Sequence, residues 1–186
     1  MTASVYFEIS GEIDRHFDDS SIDESGSPTA VILMGGVATG KTTMRKDKYS
    51  HGYVLIDAAE IFHSISGDQV LPFPDALREP LGVLGRLITR QALSERRNIV
   101  TEIIGAESEP FEKLLKHLKA LGYEVKLVLV DCDFEECIRR NEKRGDNISA
   151  YYAEPIHRKW IVDSCLELTQ VRDRLESNLK DNSSPQ

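Results

Sequence analysis

Gly35-Gly36-Val37-Ala38-Thr39-Gly40-Lys41-Thr42-Thr43 follows directly on the apolar run Val31-Ile32-Leu33-Met34. Glycines at 35, 36 and 40 let the backbone turn successive N–H groups inward around an anion, which side chains there would obstruct. A helix starting near Lys41 adds its positive dipole end to the same spot. The spacing G-x-x-x-x-G-K-T therefore predicts a phosphate-binding loop over Gly35–Thr43, with ATP or another nucleoside triphosphate and Mg²⁺ as its ligands. In that reading Lys41 reaches the β- and γ-phosphates and the Thr42 hydroxyl holds the magnesium.

Acids at the ends of other apolar runs suit the same chemistry. Asp57 closes Tyr53-Val54-Leu55-Ile56 and is placed either to accept a proton from an attacking hydroxyl, to hold magnesium, or to cap the helix that follows. Glu60, one turn on, is the other candidate base. Glu102 interrupts Asn98-Ile99-Val100-Thr101 and Ile103-Ile104; a carboxylate buried there needs a partner, either a metal ion, a polar substrate group or a structural cation. The basic stretch Arg139-Arg140-Asn141-Glu142-Lys143-Arg144 reads as a solvated helix end or as a lid over the triphosphate. Arg140 and Arg144, four residues apart, are the lid pair, with Arg158 as a third arginine. His63, His157 and Tyr151-Tyr152 are weaker candidates for substrate contact.

These residues must be positioned by alternating strands and helices. Strands are expected at 31–34, 53–56, 98–104 and Val125–Val130, the last almost wholly apolar and so covered on both faces. Helices are expected after the loop, over Leu81–Arg97, Glu109–Leu121 with Gly122 as its stop, Phe134–Lys143, and roughly Glu154–Ser177. Pro72, Pro74 and Pro80 mark a turn-rich stretch between. The alternation implies an α/β fold with a mostly parallel sheet and helices on both faces, the three-layer sandwich of P-loop NTPases. Ligands in such sheets bind at the carboxyl ends of the strands, where Gly35, Asp57, Glu102 and Asp131 all fall.

The chain of 186 residues, 40% hydrophobic and 29% charged, is long enough for one domain with a sizeable core. Its net charge of −8 is concentrated between Glu8 and Glu24, where seven acids stand against Arg15. Residues 1–28 therefore read as a flexible acidic leader, 29–180 as the kinase-type domain and 181–186 as a disordered tail. The near-neutral remainder disfavours a nucleic-acid surface, although Arg86, Arg90, Arg96 and Arg97 form a short basic stretch. Three cysteines without zinc-type spacing, and no run of membrane-spanning length, point to a reduced, soluble, cytoplasmic protein.

Over residues 30 to 165 the order of motifs resembles the zeta-toxin and polynucleotide-kinase-like group of P-loop kinases. The order is the loop, a strand ending in Asp57, a strand carrying Glu102, the Val125–Val130 strand and Arg140-Asn141-x-x-Arg144-Gly145. The resemblance implies transfer of the γ-phosphate of Mg-ATP to a hydroxyl of a small molecule or nucleotide sugar. It also implies a protein regulator of the antitoxin kind, with Lys41, Thr42, Glu102, Arg140 and Arg144 in the family roles. Two alternatives are carried with it: a kinase for nucleoside or polynucleotide 5′-hydroxyls, and a partner-regulated ATP-binding module with weak or no activity. Three positions depart from the pattern. Ala59 stands where the relatives usually place the base, Phe62 where polynucleotide kinases often have a basic residue, and Arg86 where zeta toxins have a sugar-contacting Glu.

Overall fold

The computed structural model describes residues 10–18, 20, 26–66, 75–103 and 108–143. Its sheet is built around β1 (Thr29–Met34), whose residues from Ala30 onward are all buried. An unbroken apolar run suits a strand with both faces covered. The other strands are β2 (Val54–Ile56), β3 (Ile99–Ile103) and β4 (Glu124–Leu129), in the order β2-β3-β1-β4. All pairings are parallel, with Leu33 opposite Glu102 and Ile56 opposite Thr101. Parallel neighbours require crossovers, and these are supplied by α2 (Lys41–Lys48), α3 (Ala58–Ser66), α4 (Asp75–Ser94) and α5 (Ser108–Ala120); α6 (Phe134–Lys143) follows β4.

The period of two in β1 divides the core. Ala30, Ile32 and Met34 join Ile61 of α3, Leu84, Ile88 and Ala92 of α4, and Phe111, Leu115 and Leu118 of α5. Val31 and Leu33 point the other way, to Val100 and to Met44 of α2. The α/β fold with a parallel sheet flanked by helices, expected from the alternation, is what the chain adopts.

Local signals explain most helix ends. Gly122 takes φ 78°, the Tyr123 N–H bonds the Leu118 carbonyl at 3.0 Å and the Gly122 N–H bonds that of Lys119 at 2.9 Å. This is a Schellman stop, with Tyr123 and Leu118 both buried. The end of α4 has the same bonding, Arg97 to Ala92 and Arg96 to Leu93, yet its left-handed residue is Arg96, at φ 54°. Its guanidinium donates to the carbonyls of Leu121 and Gly26, joining the two helix ends.

Three expectations are corrected. The helix after the proline-rich stretch begins at Asp75 and runs through Pro80, because losing one amide donor does not outweigh burying Leu84, Ile88 and Ala92. In β4, the end strand of the described sheet, Glu124 and Lys126 are exposed and paired at 3.5 Å; Val125, Leu127 and Leu129 pack on one face, but on the other only Val128 does, so the strand is covered on both faces over its C-terminal half alone.

The third concerns the acidic leader. Residues 10–15 form a helix, α1, and Ile13 and Phe17, four apart, pack on the core. Glu12 is buried, accepting from the Ser64 hydroxyl at 2.5 Å and Arg15 at 3.1 Å. His16 Nδ1 meets the Leu55 carbonyl at 2.9 Å. Acidic composition suggested disorder, but one i, i+4 apolar pair and a satisfied carboxylate suffice to dock the segment. Glu12→Ala removes the acceptor of the Ser64 hydroxyl and of Arg15 and is expected to cost about 1 kcal/mol in urea unfolding; an unchanged midpoint would show that the Glu12 contacts add nothing to stability.

Candidate functional site

The loop Gly35–Gly40 leaves the C-terminal end of β1 and turns into α2, capped by Gly40 at φ 106°. Ala38 also has positive φ, 61°. Gly35 is required by contact rather than by dihedral: a Cβ there would lie 2.4 Å from the Val130 carbonyl oxygen and 2.7 Å from Thr39 Oγ1. Val37, Ala38 and Thr39 are buried, the first two against Cys132 and Cys137. The Thr39 hydroxyl closes the loop on the Gly36 carbonyl at 3.0 Å. Lys41 Nζ donates to the carbonyls of Gly35 and Gly36, each at 2.8 Å, so its ammonium sits at the loop itself. Thr43, next in α2, is exposed.

Beside the loop is a charged cluster. Thr42 Oγ1 donates to Glu102 Oε2 at 2.8 Å. Arg45 Nε donates to Glu102 Oε1 and Arg45 Nη2 to Glu60 Oε1, both at 2.6 Å. The Arg45 and Glu102 side chains are 9% and 7% exposed, Glu60 40%, so the first pair is desolvated and each charge depends on the other. Glu102 thus has the Thr42 hydroxyl on one oxygen and the Arg45 guanidinium on the other. Arg45 was not among the candidates read from the sequence. Its signal was its position three residues after Thr42, on the same face of α2, and the need of Glu102 for a partner.

Asp57 takes the capping role: its Oδ1 accepts from the Ala59 and Glu60 N–H groups at 2.7 and 3.1 Å at the start of α3. Asp131, at the end of β4, accepts from the Cys132 N–H at 2.8 Å. Across the loop, α6 carries Arg140, whose Nη1 donates to the Thr39 carbonyl at 3.3 Å and whose Nε donates to Glu136 at 2.8 Å. Arg144, Arg158, His157, Tyr151 and Tyr152 lie outside the described residues, as does the side chain of His63.

Hydrogen bonds from Arg139 and then Arg140 hold the Glu136 carboxyl down at about 2. A depressed acid contributes to the folded state above its ordinary value of about 4.3, and that contribution is lost as pH falls toward about 2. A carboxyl-carbon NMR titration should show Glu136 still ionised at about pH 3.5, returning toward its ordinary value in strong salt because the pair is exposed. An ordinary midpoint in dilute buffer would contradict the pairing.

The oxygen donors at Thr42 and Glu102 suit a hard cation such as magnesium. Among the described residues no helix is long and apolar enough to cross a membrane.

The zeta toxin family model matches residues 13–179. No curated protein matches the chain. Among solved structures, one from the PezAT chromosomal toxin–antitoxin system of Streptococcus pneumoniae aligns with TM-score 0.67 and 19% identity, over 95% of this chain and 74% of that one. The AvrRxo1-ORF1:-ORF2 structure with ATP gives TM-score 0.63 and 17% identity over 93% and 60%. A chain of the Pnkp1/Rnl/Hen1 RNA repair complex gives 0.62 and 16% over 83% and 49%. At such identities the likeness establishes the fold, and the chain spans between half and three quarters of these longer proteins.

Proposed function

The chain belongs to the zeta toxin family, and on that premise we propose that it transfers the γ-phosphate of Mg-ATP to a hydroxyl of a small molecule or nucleotide-linked sugar. Family and fold together support the coarser statement, a P-loop phosphotransferase. The observation that carries phosphate handling is the Lys41 ammonium lying in the loop within one helical turn of the Thr42–Glu102 contact; the hydroxyl acceptor is proposed on family membership.

The chain's own groups divide the work. Loop amides and Lys41 bind the polyphosphate, with Lys41 exchanging the Gly35 and Gly36 carbonyls for phosphate oxygens. Thr42 and Glu102 would hold the magnesium, which when bound neutralises phosphate charge. Arg140, already on the loop, places a positive charge where charge spreads during transfer, and Arg144 is proposed as its companion. Asp57 spends Oδ1 on the cap and keeps Oδ2 to orient the acceptor hydroxyl; Glu60 is engaged by Arg45. Ala59 leaves no carboxylate at the usual base position, so orientation rather than strong basicity is the contribution expected of Asp57, as a loose transition state allows.

Purified protein given Mg-ATP labelled in the γ-phosphate, and a library of UDP-amino sugars, simple sugars, nucleosides and 5′-hydroxyl oligonucleotides, should label one of the sugar classes. Label confined to oligonucleotide ends would replace this reading with the 5′-hydroxyl kinase. A second reading, regulation by a protein partner, is favoured because solved neighbours come from a toxin–antitoxin system and a two-component complex. Silence toward every acceptor, with ATP still bound, would favour a partner-controlled nucleotide-binding module.

A further inference from the structure

The Arg45 guanidinium touches groups from two other walls of the crevice. It sits on α2 one turn beyond Lys41, its Nε on Glu102 of β3 and its Nη2 on Glu60 in the first turn of α3. That first turn is the one Asp57 caps. The remaining oxygen of Glu102 faces the Thr42 hydroxyl at 2.8 Å.

We infer that Arg45 is a positioning residue, a two-ended clamp that fixes the metal-side carboxylate and the start of α3 relative to the phosphate loop. By occupying Glu102 Oε1 it leaves Oε2 a single direction, toward Thr42. By holding Glu60 it ties the Asp57-capped turn to the loop helix, so the hydroxyl-orienting group and the metal-side group are set by one guanidinium. Stability alone does not account for it, since a buried ion pair is often matched by apolar residues of similar volume. A lysine keeps the charge but presents one point donor, whereas the planar fork of arginine reaches two carboxylates at once. The kinetic consequence rests on the phosphotransfer reading; the metal-binding consequence does not.

The test compares the whole chain with Arg45→Met, Arg45→Lys, Glu60→Gln and the Arg45→Lys/Glu60→Gln double variant. Mn²⁺ binding is read by electron paramagnetic resonance in the presence of ADP, and kcat and KM for ATP are read separately. A lost orienting partner should cost about tenfold in Mn²⁺ affinity and in kcat in Arg45→Met, with KM for ATP little changed. Arg45→Lys should regain most of the thermal midpoint without regaining either quantity. Glu60→Gln should give a smaller loss that does not add to that of Arg45→Lys, because both open the same clamp.

If Arg45→Met lowers only the thermal midpoint, or Arg45→Lys behaves as wild type in kcat and Mn²⁺ affinity, the clamp is wrong. Tighter Mn²⁺ binding in Arg45→Met would also overturn it. Should Arg45→Met fail to fold, the lysine and glutamine variants decide. If the wild-type chain transfers phosphate to nothing, the kinase reading falls while the Mn²⁺ comparison still judges Arg45.

Discussion

Lys41→Ala is expected to lower phosphoryl transfer on the order of 10³-fold or more, from loss of a cation aimed at the transferring group. Its structural cost is smaller. Lys41 Nζ holds two loop carbonyls at 2.8 Å, and part-buried bonds from a charged donor contribute about 1.5 kcal/mol each. The variant should therefore stay folded, with a thermal midpoint about 5–10 °C lower, while ATP binding by calorimetry and transfer both collapse. A variant that turned over ATP at near wild-type rate would remove the phosphate-loop assignment, and with it the proposed function.

The second large effect belongs to Gly35→Ala, and here stability and binding fall together. The added methyl would sit 2.4 Å from a carbonyl oxygen of Val130 and 2.7 Å from Thr39 Oγ1. The first contact is backbone, so β1 and the segment after β4 must separate; overpacking of this kind costs about 3 kcal/mol. Moving Thr39 also breaks its bond to the Gly36 carbonyl, and the loop amides lose their common focus. Nucleotide affinity should drop at least about tenfold, a change of some 1.4 kcal/mol. Gly40→Ala makes a useful contrast. Its Cβ would meet nothing nearer than Arg140 Nη1 at 3.7 Å, so only the strained φ of 106° is at issue, costing about 1–2 kcal/mol. Equal losses at both positions would mean that the close packing at Gly35 is not what that glycine provides.

Which features were legible from the chain follows from the range of the forces behind them. The loop motif, the strand before it and the Schellman stop at Gly122 depend on residues within a few positions of one another, and the α/β alternation depends on local hydrophobic period. The Asp57 cap was also readable, as a choice between capping and catalysis. Arg96 in the left-handed conformation was not, because its compensation comes from carbonyls at Gly26 and Leu121, distant in sequence.

The docking of α1 was hidden for a related reason. Seven acids among residues 8–24 announce solvation, and the apolar pair Ile13 and Phe17 is too short a pattern to overrule them. Only the folded core supplies the surface that pair covers, and only α3 supplies the Ser64 hydroxyl for Glu12.

The site shows the same division. Residue types along the chain were enough to specify a phosphate loop and to flag Glu102 as a carboxylate in need of company. Nothing local says that β3 inserts between β1 and β2, and that insertion is what sets Glu102 against α2. Arg45 and Glu102 are 57 residues apart in sequence yet bonded at 2.6 Å. Strand order is chosen by how the whole set of apolar faces is covered, a property of the packed sheet that no short window contains.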